Sequence, residues 1–236
     1  MKNLKIKNKI NKIKKNIKNI KKIIKKIIQN NHKNYKKIKL LIITKNQKYT
    51  IIKNIISKKN ICFGENYIQE SLKKIKKLNK YSNIKWHFIG NIQSNKIKFI
   101  SKYFQWCHSV KKEKTAILLN KYRSSNYSPL KILIQISNKK IKNCTIKKII
   151  KFIKKFYKKI KKLPKLKLKG IMLFPKINIP FSKIDKKIYK KCKKIIKILK
   201  KKNKHFTTFS FGTSRDFKKS ILSGSTLIRI GKKIFN

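Results

Sequence analysis

The sequence predicts an α/β fold in which eight parallel strands close into a single TIM-type (β/α)8 barrel. Short apolar runs, typical of buried strands, alternate with lysine-rich segments of helical periodicity. Eight such runs occur, which favours closure into a barrel over an open doubly wound sheet, the alternative fold. The 236 residues suffice for one barrel and contain no linker rich in proline, glycine or serine, so we expect residues 1–236 to form one domain.

The first element is an amphipathic helix predicted over residues 4–30, and we expect the segment 1–36 to pack on the barrel. Its isoleucines recur three or four residues apart with lysines between them. A basic helix of this kind can also lie on a membrane, but packing on its own domain is the favoured interpretation. The strands are predicted at Ile38–Ile43, Ile61–Phe63, Lys85–Ile89, Gln105–His108, Lys131–Ile136, Lys167–Met172, Thr207–Phe211 and Thr226–Ile230. The clearest intervening helices are predicted at Thr50–Lys59, Tyr67–Leu78, Thr145–Ile160 and Lys183–Lys202.

The charge of the chain is extreme, because 70 basic residues stand against five acidic ones and give a formal net charge of +65. Such a charge is typical of proteins that bind nucleic acid or an anionic membrane. Lysine, isoleucine and asparagine are spread through almost every segment, however, and only three arginines are present, although phosphate-binding surfaces usually favour arginine. This distribution favours a general drift of composition, as an AT-rich genome would impose. We therefore predict no specific nucleic acid partner and no membrane.

The cysteines and the rare residue types narrow the function further. The four cysteines lie far apart without metal-ligand spacing, and no apolar run approaches the ~20 residues of a membrane span, so a reduced cytoplasmic protein is expected. In so biased a chain, acids and glycines mark positions where lysine and isoleucine were not tolerated. Most of them fall in a few short islands next to predicted strands.

Candidate functional residues follow the early strands at their carboxyl ends, where TIM-type barrels carry their active sites. Lys45 directly follows strand 1, so we expect its stem to be buried and its amine to face the barrel mouth. A partly dehydrated amine there can form a Schiff base with an aldehyde. Asn66 is a candidate ligand to a bound ring, next to Glu65 and Glu70, whose alternative role is to cap the following helix. His87 on strand 3 is a further candidate, with a structural role as its alternative.

The turn after strand 7 predicts a phosphate site. Gly212, Thr213 and Ser214 precede a helix, where free N–H groups and the positive end of the helix dipole suit an anion. Barrels of this type often bind phosphate with the loops after strands 7 and 8. Residues Gly224–Thr226 look like a second phosphate loop, but they precede strand 8, so we expect them at the opposite, structural end of the barrel.

Five islands carry most of the rare residues, and their order along the chain is informative. They are Phe63–Glu70, Trp86–Lys96, Gly170–Met172, Gly212–Asp216 and Gly224–Gly231. Together they closely resemble the pyridoxal phosphate homeostasis protein family, over nearly the whole chain. The resemblance implies a monomeric barrel like the N-terminal domain of alanine racemase, with pyridoxal 5′-phosphate (PLP) as its cofactor.

The resemblance also implies roles for individual residues. The family's strand 1 lysine, which holds PLP as a Schiff base, matches Lys45. The family's phosphate contacts after strand 7 match Gly212 and Ser214, and Gly231 also falls at the phosphate.

Arg229, in the family's Arg-Ile-Gly motif, would lie near the pyridine nitrogen. A permanent cation there disfavours protonation of the ring and weakens the cofactor as an electron sink. The chain departs from the family at Thr213, where methionine is common, and at Lys232, where threonine is usual. The strand 5 loop, Lys142–Thr145, lacks the family's glycine. A Lys232 ammonium can still bind phosphate as a point charge.

The expected function is therefore intracellular PLP (vitamin B6) homeostasis, with PLP-dependent apo-enzymes as candidate recipients of the cofactor and no vigorous catalysis. The alternative is a weak PLP-dependent racemase acting on amino acids. That activity needs a second acid–base group opposite Lys45, for which His87 and Tyr67 are poor candidates. Binding to RNA or membranes through charge alone would leave the islands unexplained.

Overall fold

A closed barrel of eight parallel strands forms the centre of the computed structural model, which describes residues 2–30, 38–57, 59, 61–174 and 182–236. Each strand pairs with the next, and β8 pairs with β1, so the predicted TIM-type barrel is confirmed and the open sheet is excluded. The strands are β1 Lys39–Ile43, β2 Ile61–Glu65, β3 Ile84–Phe88, β4 Trp106–Val110, β5 Leu130–Ile136, β6 Leu166–Leu173, β7 Thr208–Ser210 and β8 Leu227–Ile230.

Helices follow the strands and cover the outside of the barrel. They are α1 Lys2–Gln29, α2 Tyr49–Lys53, α3 Ile68–Lys77, α4 Ile97–Tyr103, α5 Glu113–Tyr122, α6 Asn138–Asn143, α7 Ile146–Ile160, α8 Lys183–Lys202, α9 Phe217–Leu222 and α10 Lys232–Phe235. The helix predicted over residues 50–59 is shorter in the structure, since α2 ends at Lys53 and Asn54 Nδ2 donates back to the Thr50 carbonyl at 2.8 Å. Residue 58 of that prediction lies outside the described residues.

Alternation of side chains along β5 shows how the strands divide the core. Ile132, Ile134 and Ile136 are fully buried and belong to the large cluster between the strands and the helices. Leu133, between them, packs with Trp106 and Met172 in a separate small cluster. Because successive strand residues point to opposite faces, this second cluster fills the barrel interior.

The N-terminal helix packs on the barrel through its isoleucine face. Ile13, Ile20 and Ile24 are buried, and Asn16 Nδ2 donates to the carbonyl of Ile234 in α10 at 3.1 Å. The end of the predicted N-terminal segment, residues 31–36, lies outside the described part of the chain. Within that part, every helix is too short or too polar to cross a membrane.

All five acidic residues lie at one end of the barrel. Glu65 ends β2, Glu70 and Glu113 lie in the first turns of α3 and α5, Asp185 lies in the first turn of α8, and Asp216 is the N-cap of α9. A helix that follows a barrel strand begins at the carboxyl end of that strand. The acids therefore share the carboxyl-terminal end, the end at which the functional residues were predicted.

Candidate functional site

Three segments meet at the carboxyl-terminal mouth: the turn after β7, the start of α10 and the end of β1. Ser214 Oγ accepts a hydrogen bond from the Lys233 N–H at 3.1 Å, which joins the β7–α9 turn to α10. A Cβ atom at Gly231 would lie 3.1 Å from both Cβ and the carbonyl oxygen of Ile43, so Gly231 touches the end of β1. The structure thus brings Gly231 and Ser214 together beside the strand that leads to Lys45.

Gly212 turns the chain directly after β7. Its φ of +99° lies in the region that side chains disfavour, and a Cβ atom there would come within 2.7 Å of Ser220 Cβ. Its carbonyl accepts the Arg229 N–H at 2.9 Å, which fixes the turn to β8. The absence of a side chain at this point therefore lets the turn pack closely against α9.

Asp216 orders the rest of this turn. Its Oδ1 accepts the N–H of Thr213 at 2.8 Å and the Thr213 hydroxyl at 2.6 Å. The other carboxylate oxygen accepts the hydroxyls of Tyr189 and Ser220. Burial, followed by the charge of Asp216, raises the pKa of Tyr189, so its hydroxyl remains a donor. The Thr213 side chain is therefore bonded within the turn, to Asp216. Ser214 and the glycines remain as the candidate anion contacts.

Arg229 lies inside the barrel, where it is 5% exposed. Its Nη1 donates to the carbonyl of Ser210 at 2.8 Å and to the Ser210 hydroxyl at 2.9 Å, and Nη2 donates to the Leu173 carbonyl at 3.4 Å. Burial lowers the pKa of Arg229 to about 10, against the opposing charge of Asp216, so the guanidinium remains charged at neutral pH. The predicted fixed cation at the carboxyl-terminal half of β8 is present.

The expected burial of Lys45 is wrong, because the structure places its side chain in solvent, in the turn that follows β1. Asn46 takes up a positive φ of 60° in the same turn, immediately after Lys45. An ammonium group without a buried anionic partner is more stable in water than in the barrel interior. Lys45 nevertheless stands at the predicted end of the barrel, two residues beyond Ile43.

A buried ion pair braces the turn on both sides of Lys45. Lys74 Nζ donates to the Thr44 carbonyl at 2.6 Å and to Glu65 at 2.8 Å, and it also contacts Glu70. The Thr44 hydroxyl donates to Glu65 at 2.6 Å, while the Asn46 N–H donates to Glu70 at 2.7 Å. The residues before and after Lys45 are therefore held through Glu65 and Glu70.

The ion pair explains two acids that the sequence had left between functional and capping roles. Glu65 is fully buried, and burial raises its pKa although Lys74 and Thr44 oppose the shift. The N-cap of α3 is Tyr67, which makes no side-chain cap hydrogen bond. Glu65 therefore supports the turn rather than the helix. Lys74 was missed because nothing in the sequence separates it from the other lysines.

Two amide side chains hold buried oxygen atoms that lack a hydrogen-bond partner among the described residues. They are Asn66 Oδ1, directly after β2, and Gln135 Oε1, near the carboxyl end of β5. Buried polar atoms are nearly always paired, so these two oxygens suit a polar ligand. Asn66 was predicted. Gln135 was missed, although a polar residue within the apolar run Leu130–Ile136 was a usable signal.

His87 is not brought together with these residues. It is 1% exposed, and its ring stacks on Trp106 at a centroid distance of 5.1 Å and an interplanar angle of 7°. It lines a cavity whose other walls are the first residues of the strands, at the amino-terminal end of the barrel. The prediction that His87 contacts the cofactor is therefore corrected, because its strand position directs the ring toward the other end.

Lys232 is the remaining predicted contact. It follows Gly231 as the first residue of α10, and its side chain is exposed. Its neighbour Lys233 donates its N–H to Ser214, so Lys232 lies next to the anion contacts proposed from the two turns. Its ammonium is available there as an exposed point charge.

Solved structures share this (β/α)8 barrel fold. The chain is similar to alanine racemase of Clostridium difficile 630, with a TM-score of 0.65 and 12% identity over 95% of this chain and 55% of that one. It is also similar to PipY of Synechococcus elongatus PCC7942, solved with PLP bound, with a TM-score of 0.73 and 19% identity over 95% of this chain and 100% of that one. At these identities the likeness shows the fold alone.

Sequence relatives identify the family. The chain is 44% identical over 214 residues to the pyridoxal phosphate homeostasis protein of Buchnera aphidicola subsp. Schizaphis graminum, covering 90% of this chain and 92% of that one. It is 32% identical over 202 residues to the protein of the same name from Escherichia coli K12, covering 84% and 85%. No protein-family profile matches the sequence. The chain belongs to the pyridoxal phosphate homeostasis protein family.

Proposed function

We propose that this chain binds PLP at the carboxyl-terminal mouth as a Schiff base with Lys45 and serves intracellular PLP homeostasis. Its relatives carry the name of that function, and the similar PipY was solved with PLP bound. The observation that carries the proposal is the meeting of three segments: Ser214 bonds to Lys233, and Gly231 contacts Ile43 at the end of β1. An anion contact and the turn of the lysine thus lie side by side.

The residues at the mouth fit each part of PLP. Gly212, Ser214 and Gly231 form the phosphate cradle, since small residues before a helix leave N–H groups open to an anion. Asn66 offers an unpaired amide oxygen to the ring substituents. Arg229, held by Ser210, supplies the permanent cation for the pyridine nitrogen. PLP would supply the aldehyde, and the protein would supply the Lys45 amine and the phosphate site.

The exposure of Lys45 is compatible with this proposal. PLP would supply the aldehyde, and Lys45 would hold it through its neutral amine, which an exposed ammonium reaches by losing a proton to water. The contacts of Thr44 and Asn46 would hold the backbone on either side of the bound lysine. The bound state is then ordered by the phosphate contacts across the mouth.

We further propose that the protein is a cytoplasmic monomer that carries PLP for PLP-dependent apo-enzymes and is not a vigorous catalyst. A racemase needs an acid–base group opposite the lysine. His87 lines the cavity at the other end of the barrel, and Tyr67 is 56% exposed. Neither residue supports the racemase alternative.

Reduction of the PLP adduct with borohydride, followed by peptide mapping, tests the proposal. We expect an absorbance band of a Schiff base and one reduced adduct, located on Lys45. Lys45→Ala should abolish both. Lys48→Ala, which removes an exposed lysine from the same turn, is the matched control and should retain both. An adduct scattered over many lysines, or one that persists in Lys45→Ala, contradicts the proposal.

An assay of amino-acid racemisation separates the carrier from the enzyme. We expect the PLP-loaded protein to racemise alanine no faster than free PLP does. Turnover that disappears with Lys45→Ala would instead establish the racemase alternative. Size-exclusion chromatography with light scattering checks the proposed monomer in the same preparation.

A further inference from the structure

A cavity of about 200 Å³ opens at the amino-terminal end of the barrel, opposite the proposed cofactor site. Its wall includes Lys39 at the start of β1, Lys85 near the start of β3 and Lys131 near the start of β5, together with Cys62 and His87. Inward-facing positions of such barrels are usually filled by bulky apolar side chains. Three lysines around one small cavity are therefore an exception to the packing of this fold.

No acid balances these lysines, since all five acidic residues lie at the carboxyl-terminal end. Burial, followed by repulsion from Lys85, Lys169 and Lys39, lowers the pKa of Lys131. The same two causes lower the pKa of Lys169 nearby. A drift in composition readily adds lysines to exposed surfaces, but crowding cations at a partly buried position destabilises the ligand-free fold. An anion in the cavity would remove that repulsion.

A chain of hydrogen bonds along the barrel interior ends at His87, a residue of the cavity wall. Arg229 donates to Ser210 Oγ at 2.9 Å, and Ser210 Oγ shares a hydrogen bond with His108 Nδ1 at 3.3 Å. A second shared hydrogen bond joins His108 Nε2 to His87 Nδ1 at 2.9 Å. Burial lowers the pKa of His108 to about 3 and that of His87 well below its usual value, so both rings are neutral.

The consequence falls on His87. Its Nδ1 is used by His108, and its Nε2 is buried without a hydrogen-bond partner among the described residues. The His87 ring also forms part of the cavity wall. Three lysines and a neutral imidazole therefore surround the same small space.

We propose that this cavity binds a small anion that carries two or more phosphate groups, held by Lys39, Lys85 and Lys131 above His87. Several cations around one cavity match a multiply charged anion better than a single carboxylate. The volume admits a short phosphate chain and excludes a nucleic acid helix. The site lies at the opposite end from Lys45 and does not depend on the proposed function.

Calorimetric titration of the full chain with inorganic triphosphate and with ATP tests the proposal. We expect one binding site per chain, a binding constant that is weaker for orthophosphate, and a loss of at least about tenfold in Lys85→Gln/Lys131→Gln. The matched control Lys9→Gln/Lys14→Gln removes the same charge from exposed positions of α1 and should change the constant less than about twofold. Equal binding of triphosphate and ATP identifies the phosphates as the ligand, and tighter ATP binding identifies a nucleotide.

Alkylation of Cys62 gives a second readout that does not require a variant. Cys62 is partly exposed on the cavity wall, whereas Cys144 is partly exposed outside it. Triphosphate should slow the reaction of Cys62 with iodoacetamide and leave Cys144 unchanged, as followed by peptide mass spectrometry. Three results would overturn the proposal: equal losses in the two double variants, several equivalent sites per chain, or protection of Cys62 by single-stranded DNA but not by triphosphate.

Discussion

The two ends of the barrel differ in how their partly or fully buried lysines are paired. At the carboxyl-terminal end, Lys74 is 4% exposed and shares three acceptors, which are Glu65, Glu70 and the Thr44 carbonyl. At the amino-terminal end, Lys131 is partly buried among other lysines and has no acid near it. One lysine is built into the fold by its partners, and the other is a cation without a counterion.

The difference shows where a strong bias in composition has been restrained. Acids and glycines survive next to the turn of Lys45 and the phosphate cradle, because a buried cation or a positive φ cannot be satisfied by lysine or isoleucine. At the amino-terminal end, Gly224 meets the same backbone requirement, but no acid is present. The lysines at that end are therefore either a product of the composition bias that the fold tolerates or part of a second ligand site. Measurements on variants can separate these two explanations.

The largest expected effect is a contrast between Lys74→Met and Lys131→Met. Lys74→Met leaves Glu65 buried without its cation and should lower the free energy of unfolding by about 3–5 kcal/mol. Lys131→Met removes a repelled cation and should leave the free energy of unfolding unchanged or raise it. Urea denaturation followed by circular dichroism measures both. Similar losses in the two variants would abolish the distinction between the ends.

A smaller effect is expected for a pair of glycines that share a φ of +99° at opposite ends, Gly212 and Gly224. Alanine at this φ should cost each variant about 1–2 kcal/mol of stability. Gly212→Ala should cost more, because its Cβ would also lie 2.7 Å from Ser220 Cβ, whereas at Gly224 the nearest atom is 3.3 Å away.

Only Gly212→Ala should weaken PLP binding, by about tenfold or more, since only Gly212 belongs to the proposed cradle. An absorbance titration of the Schiff base measures the affinity of each variant. Gly224→Ala serves as the control for backbone strain alone. An equal loss of affinity in both would show that strain, and not contact with the phosphate, controls binding.

The smallest effect is a dependence of stability on pH that arises at the amino-terminal end. The folded-state pKa values of Lys131 and Lys169 lie below the ordinary lysine value of 10.5, so the folded chain binds fewer protons than the unfolded chain between these values. Stability should therefore rise as the pH increases through the folded pKa values toward 10.5. Thermal melting at increasing pH should show a shallower rise in Lys85→Gln/Lys131→Gln. An unchanged slope in that variant would assign the effect to other lysines.

The barrel was predictable because its strands are short, β-branched and buried on both faces. The predicted strands match the structure to within two residues at each end, and the discrepancy at β2 is informative. The strand predicted at Ile61–Phe63 continues through Gly64 and Glu65. Gly64 lacks a side chain because a Cβ atom would lie 2.7 Å from Ile43 Cδ1, and Glu65 is paired with Lys74. Glycine and glutamate are both uncommon in strands, so the sequence alone does not predict that β2 continues through them.

Site residues of a rare type could be predicted from the sequence. The orientation of side chains that depends on the three-dimensional fold could not. Gly212, Ser214 and Gly231 were found as scarce small residues beside strands 7 and 8. Lys45 is exposed and His87 faces the amino-terminal end of the barrel. Both outcomes depend on the position of the residue along the barrel axis. That position is set by the register between neighbouring strands, which the apolar pattern alone does not specify.

The interior hydrogen-bond chain links four residues along the barrel axis. Arg229 donates to Ser210 Oγ, Ser210 Oγ bonds with His108 Nδ1, and His108 Nε2 bonds with His87 Nδ1. Ser210→Ala would remove the middle link and leave the two imidazoles bonded only to each other. A continuous line of polar contacts therefore crosses a barrel interior that Trp106, Leu133 and Met172 otherwise fill with apolar side chains.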